Sequence, residues 1–105
     1  MTLKELVSAA KLRCRKTAAD ELDGDIERHV NAAISDLQRI GVTSSFLTEP
    51  SDPLIIEAIL DYVRANYSID TTEYPVLIGI YNDMLIKIKG TSKYFEETES
   101  ESTEG

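Results

Sequence analysis

Apolar positions recur at helical spacing along most of this chain, and one stretch, Asp52 to Tyr67, is apolar on far more of its circumference than a surface helix needs. At about 100° per residue, Leu54, Ile55, Ile56, Ala58, Ile59, Leu60, Tyr62, Val63, Ala65 and Tyr67 sweep roughly 240°, and Glu57, Asp61 and Arg64 share the rest. A helix lying on a protein surface shows a stripe of about 100° or somewhat more. The surplus has to be covered, either by neighbouring helices or by another subunit. Asp52 followed by Pro53 marks the start well, because the carboxylate caps free backbone N–H groups and proline is preset for a first helical turn.

Three further helices follow from the same periodicity. Thr2 and Glu5 have capping-box spacing, so a first helix starts there, with Leu3, Leu6, Val7, Ala10 and Cys14 on one side and a pattern that decays near Arg15 to Thr17. In the second, Ile26, Val30, Ala33, Ile34, Leu37 and Ile40 occupy about 120° behind an Asp23 cap, and Gly41 supplies the left-handed residue that ends it. The fourth runs from about Thr72 to Lys89 and Gly90, with Pro75 in its first turn. Its core face is Tyr74, Leu77, Ile78, Tyr81, Met84, Leu85 and Ile88. Gly79 inside it weakens the helix by about 1 kcal/mol relative to alanine and points to close helix packing.

Between the second and third helices, Val42 to Ser51 loses the period and reads as a long loop anchored by Phe46 and Leu47. After Gly90, Tyr94 and Phe95 form an aromatic anchor, for the chain's own core or for another chain. The Glu, Ser and Thr residues beyond them cannot bury enough apolar surface to become ordered alone. The expected fold is all-α, a compact bundle of about four helices over residues 1–90, with a flexible acidic tail over 91–105.

Length and charge narrow the function. At 105 residues one domain with its own core is expected. The single cysteine, Cys14, cannot close an intramolecular disulfide, which favours a reducing cytoplasm. No run approaches the roughly 20 apolar residues of a membrane span, and the first residues lack the apolar stretch of a signal peptide. A formal charge of -8 argues against gripping duplex DNA or an anionic membrane with the whole surface. The charge is nevertheless segregated. Lys11, Arg13, Arg15 and Lys16 precede an acidic block of Asp20, Glu21, Asp23, Asp25 and Glu27. The arginines are expected to pair with that block or with a neighbouring subunit.

Candidate chemistry is thin. His29 is the only histidine and falls at the margin of an apolar stripe, so a Cys/His metal site is excluded and a Cys14 nucleophile would have no ready base. The acidic run around Gly24 fails as a calcium loop, because Leu22 takes an alternate ligand position and Val30 stands where the closing glutamate belongs. No phosphate-binding loop or nucleophile elbow is present. No catalytic residue, metal or cofactor is expected, and the basic cluster lacks the aromatic interleaving of a nucleic-acid site.

The sequence Asp36-Leu37-Gln38-Arg39-Ile40-Gly41-Val42, the Asp52-Pro53-Leu54-Ile55 helix start, the phrase Tyr62-Val63-Arg64-Ala65-Asn66-Tyr67 and Tyr81-Asn82-Asp83-Met84-Leu85 together resemble the head-tail connector proteins of tailed bacteriophages, over about residues 2–94. The resemblance implies a small helical subunit of a ring beneath the portal. Such a ring extends the DNA channel without sequence-specific binding and docks the next head-completion or tail protein. It also implies assembly at the head-tail interface of the virion after synthesis in the bacterial host cytoplasm. The family has no motif that transfers individual residues. The helical-wheel argument therefore supplies the candidates: Ile55, Ile59 and Tyr62 for subunit contact, and Phe46, Leu47, Tyr94 and Phe95 for docking to portal or tail. The competing reading is a small acidic regulator or DNA mimic that occupies a basic partner through salt-sensitive contacts.

Overall fold

The computed structural model describes residues 1–13, 23–67 and 73–95. Among them are α1 (Leu3–Arg13), α2 (Asp23–Arg39), α3 (Pro53–Tyr67) and α4 (Tyr74–Lys89), with 3-10 turns at Ser44–Phe46 and Ser92–Phe95. Cys14, Arg15, Lys16, the acidic block before Asp23 and the tail beyond Phe95 lie outside the described residues.

Local chemistry sets the helix boundaries. At α1 both halves of the capping box form: the Thr2 N–H donates to Glu5 Oε1 at 2.8 Å and the Glu5 N–H to Thr2 Oγ1 at 3.2 Å. At α3 the Asp52 Oδ1 accepts from the Leu54 and Ile55 N–H groups at 3.0 and 3.4 Å. Helix α2 ends in a Schellman arrangement. The Gly41 N–H reaches the Gln38 carbonyl at 3.0 Å and the Val42 N–H the Leu37 carbonyl at 3.1 Å, with Gly41 at φ +108°. Two starts differ slightly from expectation. Asp23 is itself the first residue of α2, and α4 begins at Tyr74 behind Glu73, which makes no side-chain cap bond. Shifts of one or two residues are usual where helices fray.

Helix α3 is the centre of the bundle. It packs against α1, α2 and α4, and Ile55, Ala58, Ile59, Val63 and Ala65 are completely buried. Its apolar surplus is therefore covered largely within the chain, by Leu6, Val7 and Ala10 of α1, Ile26, Val30, Ala33 and Leu37 of α2, and Tyr81 and Ile88 of α4. Helix α1 approaches α3 on its Glu57–Asp61 side and α4 on its Tyr62 side, about 100–140° further round.

Candidate assembly surfaces

Three polar junctions tie the helices together, and each consumes residues that the sequence left unassigned. At the first, Arg13 closes α1 onto α3, its Nη1 donating to Asp61 Oδ1 and its Nη2 to Glu57 Oε2, both at 2.9 Å. This partner is not the acidic block that follows α1 in sequence. The two carboxylates sit one helical turn apart on α3, in the polar sector of its wheel, where a single forked guanidinium can bridge them. Burial raises the Asp61 carboxyl above its ordinary value, with Glu57 adding to the rise and Arg13 opposing it.

At the second junction the Tyr81 hydroxyl of α4 donates to Asp36 Oδ2 of α2 at 2.6 Å, while Arg39 Nε and Nη2 donate to Oδ1 at 3.1 and 2.7 Å. Burial works to raise Asp36, but the hydrogen bonds from Tyr81 and Arg39 outweigh it and hold the carboxyl below its usual range. Burial and the bond to Asp36 push the Tyr81 phenol far upward. Tyr62 stacks edge-to-face on Tyr81 with centroids 5.1 Å apart.

The third is a clasp that folds the 3-10 turn at Ser92–Phe95 over the α2–α3 loop. The Thr43 N–H donates to the Tyr94 carbonyl at 2.8 Å, the Tyr94 hydroxyl to Asp52 Oδ1 at 2.8 Å, and Lys93 Nζ lies 3.2 Å from Asp52 Oδ2. Phe46 meets Tyr94 edge-on at 5.0 Å, and Phe95 lies 3.3 Å from where a Cβ on Gly41 would stand. Burial would raise Asp52, but bonds from Tyr94, Lys93 and the start of α3 hold it low. Tyr94 is pushed up to about 12 by burial and by its bond to Asp52.

Of the sequence-derived candidates, Tyr62 falls at the second junction and Phe46, Tyr94 and Phe95 at the third. Ile55 and Ile59 are buried inside the bundle, and of the three residues expected at a subunit contact only Tyr62 keeps exposed surface. Tyr94 and Leu47 are buried in the clasp, and Phe46 and Phe95 are half-buried at its rim. Beside it, Leu3, Leu6, Ile34, Leu47 and Pro50 line an open cleft of about 290 Å³, with Glu49 at its edge in a left-handed conformation, φ +48°. His29 is half-buried on α2, its imidazole held below the usual value by burial and by Arg28. Among the described residues no three His, Cys, Asp or Glu side chains could hold a metal ion, and no helix is long and apolar enough to cross a membrane.

The most exposed apolar side chains lie elsewhere, on α4 and α1. Val76 (66 % exposed), Ile80 and Ile86 (67 %) project from α4, and Leu12 (69 %) from α1. Sequence reasoning passed over α4 because its core arc already accounted for the buried face. The available signal was that these three apolar residues fall outside that arc, around Gly79.

What these residues make is an all-α bundle held by structural ion pairs and a C-terminal clasp, with its uncovered apolar area on the outer helices. The family model for phage connector proteins matches residues 6–96, from the core of α1 to just beyond the clasp, and the chain belongs to that family, the head-tail connectors. Its role is that of a phage connector, a structural protein of the bacteriophage. No curated protein and no solved structure matches the chain. The acidic residues beyond 96 lie outside the matched region.

Proposed function

We infer that the chain is one subunit of an oligomeric ring that joins the portal vertex of the capsid to the tail and continues the DNA channel. The observation that carries this reading is the connector match over residues 6–96, spanning every described helix from the core of α1 onward. Two features support it. A formal charge of -8 suits a channel wall that DNA slides past without being held, because phosphate binding depends on Lys and Arg. The apolar side chains left on α4 and α1 are of the kind that protein contacts cover.

In this reading Tyr62 lies at the edge of a subunit contact, with Ile55 and Ile59 fixing α3 beneath it. The clasp built from Phe46, Leu47, Tyr94 and Phe95 faces the portal or the next tail component, with Phe46 and Phe95 as the members a partner can touch. The protein is made in the host cytoplasm and ends at the head-tail interface of the virion. The test is to mix purified protein with isolated portal and examine the product by mass photometry and negative-stain microscopy. The expected product is a portal carrying an added ring. A chain that stays monomeric in the presence of portal sinks the proposal.

A further inference from the structure

We propose that the Ser92–Phe95 turn is a two-state latch: it lifts from the bundle as one unit at the Thr91–Ser92 joint while the four helices stay folded, and it completes the clasp rim only when shut. The unit behaviour stands on the geometry of the clasp alone. The role of the rim rests on the reading that Phe46 and Phe95 meet a partner.

The turn behaves as one unit because most of its contacts pass through a single residue. Tyr94 is 3 % exposed and engages three different groups: its carbonyl accepts from the Thr43 N–H, its hydroxyl donates to Asp52 Oδ1, and its ring meets Phe46 edge-on. On either side of it, Lys93 reaches the other oxygen of the same carboxylate and Phe95 covers Gly41. A displacement that carries Tyr94 off Asp52 also carries it off Thr43 and Phe46. These contacts therefore break together rather than one at a time.

The helices can stay folded because each element beside the turn has its own termination. Helix α4 ends with the Gly90 N–H on the Ile86 carbonyl and the Thr91 N–H on the Ile88 carbonyl, both at 3.0 Å, and with Thr91 Oγ1 donating to the Lys87 carbonyl at 2.9 Å. Helix α2 keeps its Gly41 and Val42 bonds, and α3 keeps the Leu54 and Ile55 N–H bonds to Asp52. None of these involves residues 92–95. The natural breakpoint is the Thr91–Ser92 joint, crossed by the Tyr94 N–H bond to the Thr91 carbonyl at 3.3 Å. Shut, the latch presents two half-buried rings, Phe46 from the α2–α3 loop and Phe95 from the turn. Open, it carries Phe95 away. A partner that touches both rings recognises only the shut state, and its binding shifts the latch toward that state.

Native-state hydrogen exchange of the full-length chain, read residue by residue by NMR, tests the latch. In the wild type the Thr43 and Tyr94 N–H groups should show the same protection to within about threefold, and exchange at least about a hundredfold faster than Ile59 and Val63 of α3. Phe46→Ala removes a contact from the loop side and touches none of the hydrogen bonds of the turn. It should speed exchange at Thr43 and Tyr94 by a common factor of about three to ten and leave Ile59 and Val63 unchanged. Lys93→Gln, at a side chain 57 % exposed, is the second perturbation should Phe46→Ala fail to fold, with the same common factor but a smaller one. Factors at Thr43 and Tyr94 that differ by about tenfold or more mean that the turn frays residue by residue, and overturn the proposal. An equal rise at Ile59 and Val63 also overturns it, because the clasp then opens only with the whole bundle. Either failure leaves the ring reading standing, and a chain that adds no ring to isolated portal leaves these exchange rates as they are.

Discussion

Helices α3 and α4 are of similar length and similarly apolar, yet the bundle uses them in opposite ways. Helix α3 is surrounded, so that even Asp61 is only 7 % exposed, whereas α4 touches the bundle along one side and keeps Val76, Ile80 and Ile86 in the open. Apolar content alone therefore does not locate an interface. What matters is whether the rest of the chain supplies enough cover, and α1 and α2 supply it for α3 but not for the outer side of α4.

The sharpest way to break this contrast is a matched pair of truncations. Ile59→Ala opens a cavity at a fully buried position, and urea unfolding should show a loss of about 2–5 kcal/mol. Ile86→Ala, measured on dilute monomer, should stay within about 0.5 kcal/mol of wild type. Equal losses at the two sites would mean that α4 is covered within the monomer.

Glycine gives a second contrast. Gly41→Ala forces an L-residue into φ +108° and brings its Cβ to 3.3 Å from the Phe95 ring, so it should cost about 1–3 kcal/mol, read from the same unfolding curves. Gly79→Ala meets nothing among the described residues and should raise the melting temperature of the monomer by a few degrees, equivalent to about 0.5–1 kcal/mol.

Tyr94→Phe removes one bond to Asp52 while keeping the ring against Phe46, and should cost about 1 kcal/mol, with the change in hydrogen exchange concentrated at Thr43 and Ser92 to Phe95.

The smallest effect is the pH dependence. Asp36 and Asp52 are depressed in the folded state, so their contributions are full above the ordinary carboxylate range and vanish as pH falls through the lowered values. Asp61 is raised and acts in the opposite sense. Its contribution is present at low pH and lost as pH rises through the raised value. Melting temperatures followed from about pH 7 to about pH 3 should fall, and Asp52→Asn, which preserves the helix cap, should flatten part of that fall.

What the sequence made legible depended on range. The Thr2–Glu5 box, the Asp52 cap and the Gly41 terminus each involve residues within five positions of one another, and all three stand in the structure. The wheel of α3 named a helix that needs covering, and the expected core face of α4 holds at Leu77, Tyr81 and Ile88, while Tyr74 is 41 % exposed. The junctions were not legible, because Arg13 meets Glu57 across 44 positions, Tyr81 meets Asp36 across 45 and Tyr94 meets Asp52 across 42. Such pairings depend on how helices are stacked, which periodicity does not encode. The apolar surplus of α3 does not encode which neighbours absorb it, and Ile55 and Ile59 lie on the part that α1, α2 and α4 cover.

Asp52 has a further consequence for the order in which the chain is completed. Its carboxylate caps α3 through residues two and three positions away, a bond available as soon as that helix has been synthesised. The same oxygen then receives the Tyr94 hydroxyl, from near the other end of the chain. The residues of the four described helices all precede Thr91, so the acceptor is complete in sequence before the turn that supplies its second donor. Closure waits for the last described turn. Asp52 Oδ1 thus joins, at one atom, a contact within a single helical turn and one that spans 42 positions.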